Sequence, residues 1–252
     1  MDQFQERIKK IADLLLEKSY PVVLSGAGVS TESGIPDFRS PVDGLWTVVD
    51  PELFTIQGFR ARPEAFYRAG APFFRQIIKA KPNPTHTGLA ELEKRGLIKA
   101  VITQNVDGLH QKGGSEKVLE IHGTLSSASC SFCDQKMPTA EVLKEVENGV
   151  LPPRCLECGE VIRPDVVLFG EQLTTDYQLA LREAQNADLV MVIGSSMEVA
   201  PANQIPALCE NLIIINRTHT FYDRQALVTV SESTSYVLDR LLEELNSREE
   251  RH

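Results

Sequence analysis

The hydrophobic pattern opens on a helix and then alternates short apolar runs with amphipathic stretches. In residues 1–19, Phe4, Ile8, Ile11, Leu14 and Leu15 recur at helical spacing among charges of both signs. That predicts a first helix packed on the protein rather than a signal peptide or a membrane-surface helix. Runs rich in Val, Ile and Leu follow at 21–24, 100–103, 118–121, 166–168, 189–193, 212–215 and 226–230. Helical patterns occupy 63–80, 85–95, 174–186 and 236–245. Apolar strands separated by helices predict an α/β fold: a Rossmann-like parallel sheet with helices on both faces. Such sheets bind ligands at the carboxyl ends of their strands.

Two segments break the alternation. Residues 39–82 hold the only Trp and half of the Phe, and residues 124–164 hold four of the five cysteines. Both read as insertions. The expected division is a Rossmann-like dinucleotide-binding domain of 1–38, 83–123 and 165–252, a cofactor loop with a helical insertion at 39–82, and a small zinc-binding module at 124–164. A length of 252 residues accommodates one large unit and a small one. The net charge of −9 argues against broad nucleic-acid binding. No apolar run approaches the ~20 residues that span a bilayer, so no membrane association is expected and the cytoplasm is the default compartment.

The cysteines are informative in their spacing. Cys130 and Cys133 form one C-x2-C pair, Cys155 and Cys158 a second, with 21 residues between. Each pair can turn two thiolates toward one tetrahedral ion, and together they close the shell. One structural zinc is the favoured reading; two disulfides or an iron–sulfur centre are the alternatives. Cys209 reads as a small buried hydrophobe.

The remaining chemistry gathers at strand ends. Gly26 and Gly28 follow the first apolar run as in a G-x-G-x-x-G fingerprint, but Thr31 stands where the third glycine belongs. The loop can still bring backbone N–H groups to a pyrophosphate. Gly34-Ile35-Pro36-Asp37-Phe38-Arg39 reads as a loop carrying an acid, an aromatic and a guanidinium over the nucleotide. Gln104, Asn105 and Asp107 crowd the end of the run at 100–103, and His122-Gly123 follows the run at 118–121. His122 is a candidate general base, with a hydrogen-bonded structural histidine as the alternative; His86 and His110 read as structural. Gly194-Ser195-Ser196 and Asn216 end two further strands. No acid stands where a dehydrogenase would bind its ribose: Asp43 and Asp50 lie in the insertion.

In combination, GAGVSTESGIPDFR, GLW, TQNVDGLH, HG, the paired C-x2-C, VVLFGE, GSS and IN resemble the sirtuin family over nearly the whole chain. The resemblance implies an NAD-dependent protein-lysine deacetylase that transfers the acetyl group of acetyl-lysine to ADP-ribose, with nicotinamide as product and inhibitor. NAD is then a co-substrate whose C1′ is attacked, and no hydride moves. Residue by residue, the resemblance implies that Ala27, Gly28, Ser30 and Thr31 line the pyrophosphate and nearby ribose. Phe38 and Arg39 would cover the cofactor. Gln104 and Asn105 would hold the nicotinamide ribose and an ordered water, and Val106 and Asp107 the carboxamide. Ser195, Ser196, Asn216 and Thr234 would hold the adenosine half. Val166, Val167, Leu168, Phe169, Gly170 and Glu171 would pair with the substrate peptide by β-augmentation, and Val199 would wall the acyl-lysine tunnel. His122 would take a proton through the ribose hydroxyls, and Asn105 would share the catalytic role.

The partners implied are acetylated-lysine peptides or proteins, and the expected working form is a monomer. Family members that prefer succinyl- or malonyl-lysine carry a Tyr and, three residues on, an Arg. Here Tyr67 is followed three residues on by Gly70, so acetyl-lysine is expected over succinyl-lysine unless Arg68 or Arg75 reaches in. A protein ADP-ribosyltransferase, a non-catalytic NAD or zinc module, and a dehydrogenase are the rival classes.

Overall fold

The structure is a computed structural model that describes residues 3–37 and 44–251. Helix α1, Gln3–Glu17, leads into β1, Pro21–Ser25; α2, Ile56–Ala61, α3, Pro63–Lys79, and α4, Pro84–Lys94, then precede β2, Val101–Thr103. The short α5, Leu109–Lys112, is followed by β3, Val118–Glu120, β4, Gly123–Cys130, β5, Lys136–Pro138, α6, Thr139–Glu147, and β6, Ile162–Val166. The chain closes with α7, Thr175–Asn186, β7, Leu189–Ile193, β8, Leu212–Ile215, β9, Val228–Val230, and α8, Thr234–Glu249.

Six strands form one sheet in the order β3-β2-β1-β7-β8-β9, all parallel. Strands β1, β7 and β8 are buried along their whole length. This is why their sequences are continuous apolar runs rather than alternating ones. On one face pack α1, α4 and α8, with Ile8, Ile11, Ala12 and Leu15 of α1 turned inward at the i, i+3, i+4, i+7 spacing of one helical stripe. On the other pack α7 and the 3-10 turn Ala202–Leu208, with Tyr222 and Cys209. Local signals set the helix starts. Asn83 caps α4 in a reciprocal capping box with His86, with Pro84 in the first turn, and Ser233 caps α8.

The apolar run 166–168 is not a strand of this sheet. β6 ends at Val166 and belongs to a second, antiparallel sheet of order β5-β4-β6. Beyond it the backbone finds partners elsewhere: the Val167 N–H donates to the His122 carbonyl at 2.8 Å, and the Phe169 N–H to the Phe54 carbonyl at 3.0 Å. The residues of α3, the 44–54 segment, β4, β6 and α6 share one apolar core that includes Phe54, Phe66, Phe74, Leu125, Val142 and Ile162. The two insertions thus pack on each other.

Candidate active site

In the parallel sheet the chain leaves β1 toward β2 on one side and returns through β7 on the other, so the connections part company between β1 and β7. A crevice opens at such a switch point. The loops that border it touch. The Gly28 N–H donates to the Gly194 carbonyl at 2.8 Å, and a Cβ at Gly26 would fall 2.7 Å from the Ser195 Cβ. Gly194 itself has φ +61, and a Cβ there would fall 2.5 Å from the Val29 nitrogen. Glycine is needed at these positions for close approach of two backbones. After Gly26 the chain coils into a 3-10 turn, Ala27–Ser33, capped by Gly34 at φ 81. The Thr31 hydroxyl is spent inside it on the Gly28 carbonyl.

Behind this loop lies a buried polar network. Asn105 donates from Nδ2 to the Gly26 carbonyl at 3.2 Å and to Ser30 Oγ at 3.1 Å. Ser30 Oγ donates to Asp107 Oδ2 at 2.7 Å, and Asp107 Oδ1 accepts the Leu109 N–H at 2.8 Å. Gln104 Nε2 crosses the crevice to Ser195 Oγ at 2.9 Å. Ala27, Ser30, Asn105, Val106 and Asp107 line a small cavity of about 30 Å³ that ends on Phe73 and Ile77. Donors, acceptors and a carboxylate at the carboxyl ends of β1, β2 and β7 fit a dinucleotide whose carboxamide and ribose need both. His86 and His110 stand beneath, rings 5.0 Å apart and both fully buried. Burial holds both well below the ordinary histidine pKa.

His122 sits where β3 gives way to β4. Its Nδ1 lies 2.9 Å from the Gln104 carbonyl. A carbonyl only accepts, so Nδ1 carries the proton and Nε2 keeps its lone pair. Burial pushes the His122 pKa down from 6.5, and the Gln104 bond opposes this. The following glycine is required: Gly123 has φ +79, and a Cβ would fall 2.2 Å from the Asp165 carbonyl oxygen. His122 faces a larger cavity of about 210 Å³. Its walls include Val166, Val167, Leu168, Phe169, Gly170, Glu171 and Val199, together with Gln104 and Val106. Phe73, Ile77, Gln104 and Val106 border both cavities. Of the expected site residues, Gln104, Val106 and His122 from the cofactor set therefore share one cavity with Val199 and the 166–171 set.

The wall at 166–171 is pinned from behind. Arg163 makes a two-pronged bond to Glu171, at 2.7 and 2.8 Å, and donates to the Val166 carbonyl at 2.7 Å. Glu171 in turn accepts the Leu168 N–H at 2.9 Å. The Arg163 guanidinium holds the Glu171 carboxyl below its usual range, although burial opposes it.

The remaining expected residues are more dispersed. Ser196 is half-buried beside Ser195, and Asn216 bonds Thr218 at the end of β8. Thr234 is buried in the seam between α4 and α8, its hydroxyl 2.8 Å from that of Thr85. Phe38 and Arg39 lie outside the described residues. Leu45 and Trp46, from the GLW motif, also line this cavity, and several lining residues were not singled out from sequence: Phe54, Phe73, Phe74 and Ile77. Their only signal was the aromatic density of the insertion.

The sulfurs of Cys130, Cys133, Cys155 and Cys158 all lie within 4.8 Å of one another, and none is in a disulfide. The closest pairs stand at 3.4 and 3.6 Å. Four thiolates about 2.3 Å from a central ion stand about 3.8 Å apart in a tetrahedron, so this set fits zinc. The knuckles project from the ends of β4 and β6, away from His122, and leave no open coordination position.

Residues 26–201 match the profile of the Sir2 family. The chain is 48% identical over 231 residues to NAD-dependent protein deacetylase 2 of Caldanaerobacter subterraneus subsp. tengcongensis, covering 91% of this chain and 92% of that one. Among solved structures it is similar to a Sir2 complex with a p53 peptide and NAD+, with a TM-score of 0.90, 38% identity and coverage of 95% and 99% of the two chains. It is likewise similar to a Sir2 with a deacetylated p53 peptide and 3′-O-acetyl-ADP-ribose, with a TM-score of 0.91, 39% identity and coverage of 94% and 98%.

Proposed function

The chain belongs to the Sir2 family, and from that premise we propose how its residues carry out NAD-dependent deacetylation of protein lysine. The observation that carries the reading is the position of His122, its Nδ1 held by the Gln104 carbonyl and its side chain bordering a cavity that is walled by the 166–171 segment and shares Gln104 and Val106 with the cavity of the Asn105–Ser30–Asp107 network. When bound, NAD supplies an electrophilic ribose carbon and nicotinamide as leaving group.

The roles of the residues follow from their surroundings. Asp107 and the Val106 backbone orient the carboxamide, because Ser30 and the Leu109 N–H fix the carboxylate. Asn105, tied to Gly26 and Ser30, positions the reacting ribose. Phe54, Val106 and Leu168 exclude water, so that a weakly nucleophilic amide oxygen is held dry and aligned. His122 accepts a proton at Nε2, with Gln104 holding the tautomer. The peptide runs along 166–171, where main-chain bonding gives little sequence selectivity. The cysteine-held zinc supplies folding energy and no chemistry.

The proposed working form is a cytoplasmic monomer acting on acetylated proteins without nucleic acid. The net charge of −9 supports the last point, and among the described residues no helix is long and apolar enough to cross a membrane.

Mass spectrometry of the products tests the reading. From NAD and an acetyl-lysine peptide it predicts free lysine and O-acetyl-ADP-ribose in equal amounts. ADP-ribose attached to the peptide or to the enzyme, with the acetyl group intact, would overturn it in favour of transferase chemistry.

A further inference from the structure

A peptide that adds to an edge meets main chain that has no neighbouring strand on that side to hold its shape. β6 ends at Val166, and residues 167–171 lie in no strand of either sheet. Side chains hold this stretch instead. Arg163 Nη2 donates to the Val166 carbonyl at 2.7 Å, taking an acceptor that a ladder partner would otherwise use. The same guanidinium forks onto Glu171, Nη1 to Oε1 at 2.7 Å and Nη2 to Oε2 at 2.8 Å. Oε2 also accepts the Leu168 N–H at 2.9 Å, and the Glu171 N–H returns to the Leu168 carbonyl at 3.0 Å. Both carboxylate oxygens of Glu171 are thus engaged within the wall, and any pairing of Glu171 with a peptide falls to its main chain.

The clamp also reaches the element on which the wall rests. Arg163 Cζ stands 5.7 Å from the centroid of the Phe59 ring, within cation–π range. Phe59 belongs to α2, whose first residue Ile56 donates its N–H to the Phe169 carbonyl at 3.0 Å. One guanidinium therefore contacts β6, the wall and α2. With side-chain exposures of 20% and 23%, the Arg163–Glu171 pair is sheltered from full screening by solvent. The neighbouring Ile162 and Leu168 are buried in the core of the insertions; what the pair adds is polar bonds to the main chain of the wall. A lysine could not replace the fork, because an ammonium is a point charge without the planar pair of donors that matches a carboxylate.

We infer that Arg163, acting through Glu171 and the Val166 carbonyl, is a positioning residue for the substrate: it holds residues 166–171 in the shape to which an acetyl-lysine peptide adds. A wall that is already ordered spares the arriving peptide the entropy of ordering it. The clamp therefore acts on peptide binding and leaves the chemical step to His122 and the cofactor side of the site. The inference rests on the deacylase reading above and on its placement of the peptide.

The test measures initial rates of the zinc-loaded chain with NAD and one acetyl-lysine peptide, for the wild type, Arg163→Met and Arg163→Lys. Arg163→Met should raise KM for the peptide by about tenfold or more, while kcat at saturating peptide and KM for NAD stay within about threefold of wild type. Arg163→Lys should raise KM for the peptide by about threefold or more, since it keeps the charge and loses the fork. A smaller folded fraction lowers apparent kcat and leaves KM alone, so the split separates positioning from a merely structural role. If Arg163→Met does not fold, Arg163→Lys, which keeps a cation opposite Glu171, carries the test. An unchanged peptide KM in either folded variant, or a fall in kcat with KM unchanged, overturns this inference alone. So does a variant whose KM falls for the same peptide with a lysine placed beside the acetyl-lysine, because the released Glu171 carboxylate would then be a direct substrate contact. A wild type that turns over no acetyl-peptide overturns the deacylase reading, and this inference with it.

Discussion

Because the Gln104 carbonyl can only accept, His122 keeps its proton on Nδ1 and its lone pair on Nε2. His122→Ala should therefore lose deacetylation by roughly 10²–10⁴-fold while keeping NAD affinity and the wild-type melting temperature; near-normal turnover would remove the assignment. Burial lowers the His122 pKa from 6.5, so the imidazole proposed as the base stays neutral to more acid pH than an ordinary histidine. The acid limb of kcat/KM against pH should fall below pH 6.5, and an acid limb above that value would contradict the geometry. His122 was legible because a histidine and a glycine just past a strand sit where sites in this fold class form. The need for Gly123 shows only in its φ of +79 and the nearby Asp165 carbonyl. Phe54, Phe73, Phe74 and Ile77 come from different turns of the insertion and converge only through tertiary packing. No periodicity in the sequence announces that.

Among the elements, the strands of the parallel sheet were legible because burial on both faces makes each a continuous apolar run. The same rule misplaced 166–168, whose apolar residues wall a cavity rather than enter the sheet. The antiparallel β4-β5-β6 sheet was not legible. Gly123–Cys130 reads GTLSSASC, with few residues of strong strand preference, and the sheet is anchored by its cysteine knuckles. Those were plain from spacing alone. Since the four-cysteine site supplies folding energy, purified protein should hold one zinc per chain. Cys155→Ser should lower the melting temperature by on the order of 10 °C, at about 2–4 °C per kcal/mol for a domain this size. Metal analysis without zinc, together with an unchanged melt, would refute the structural role. The knuckles share their core with α3 and α6, so loss of zinc should also loosen the insertion that bears Phe54 and Phe74.

For the molecule as a whole, the buried His86–His110 pair links stability to pH. Burial holds both neutral, with pKa values below the 6.5 of an unfolded chain. Below pH 6.5 the unfolded state binds protons that the folded state refuses, so this stability is full above pH 6.5 and is lost as pH falls below it. Each histidine should contribute a slope approaching about 1.4 kcal/mol per pH unit, or about 1 kcal/mol between pH 6.5 and 5.5. Urea unfolding at pH 7.5, 6.5 and 5.5 should show the decline, and His110→Asn should flatten it; an unflattened slope would place the proton uptake elsewhere. Gln104 and Val106 border both the crevice cavity and the cavity proposed to take the peptide, so cofactor cleavage and acyl transfer are expected to be coupled. The most direct measurement is nicotinamide release from NAD with and without an acetyl-lysine peptide. The account predicts release that requires the acetyl-peptide and matches lysine deacetylation mole for mole. Release at the same rate without the peptide, or with an unacetylated one, would contradict it.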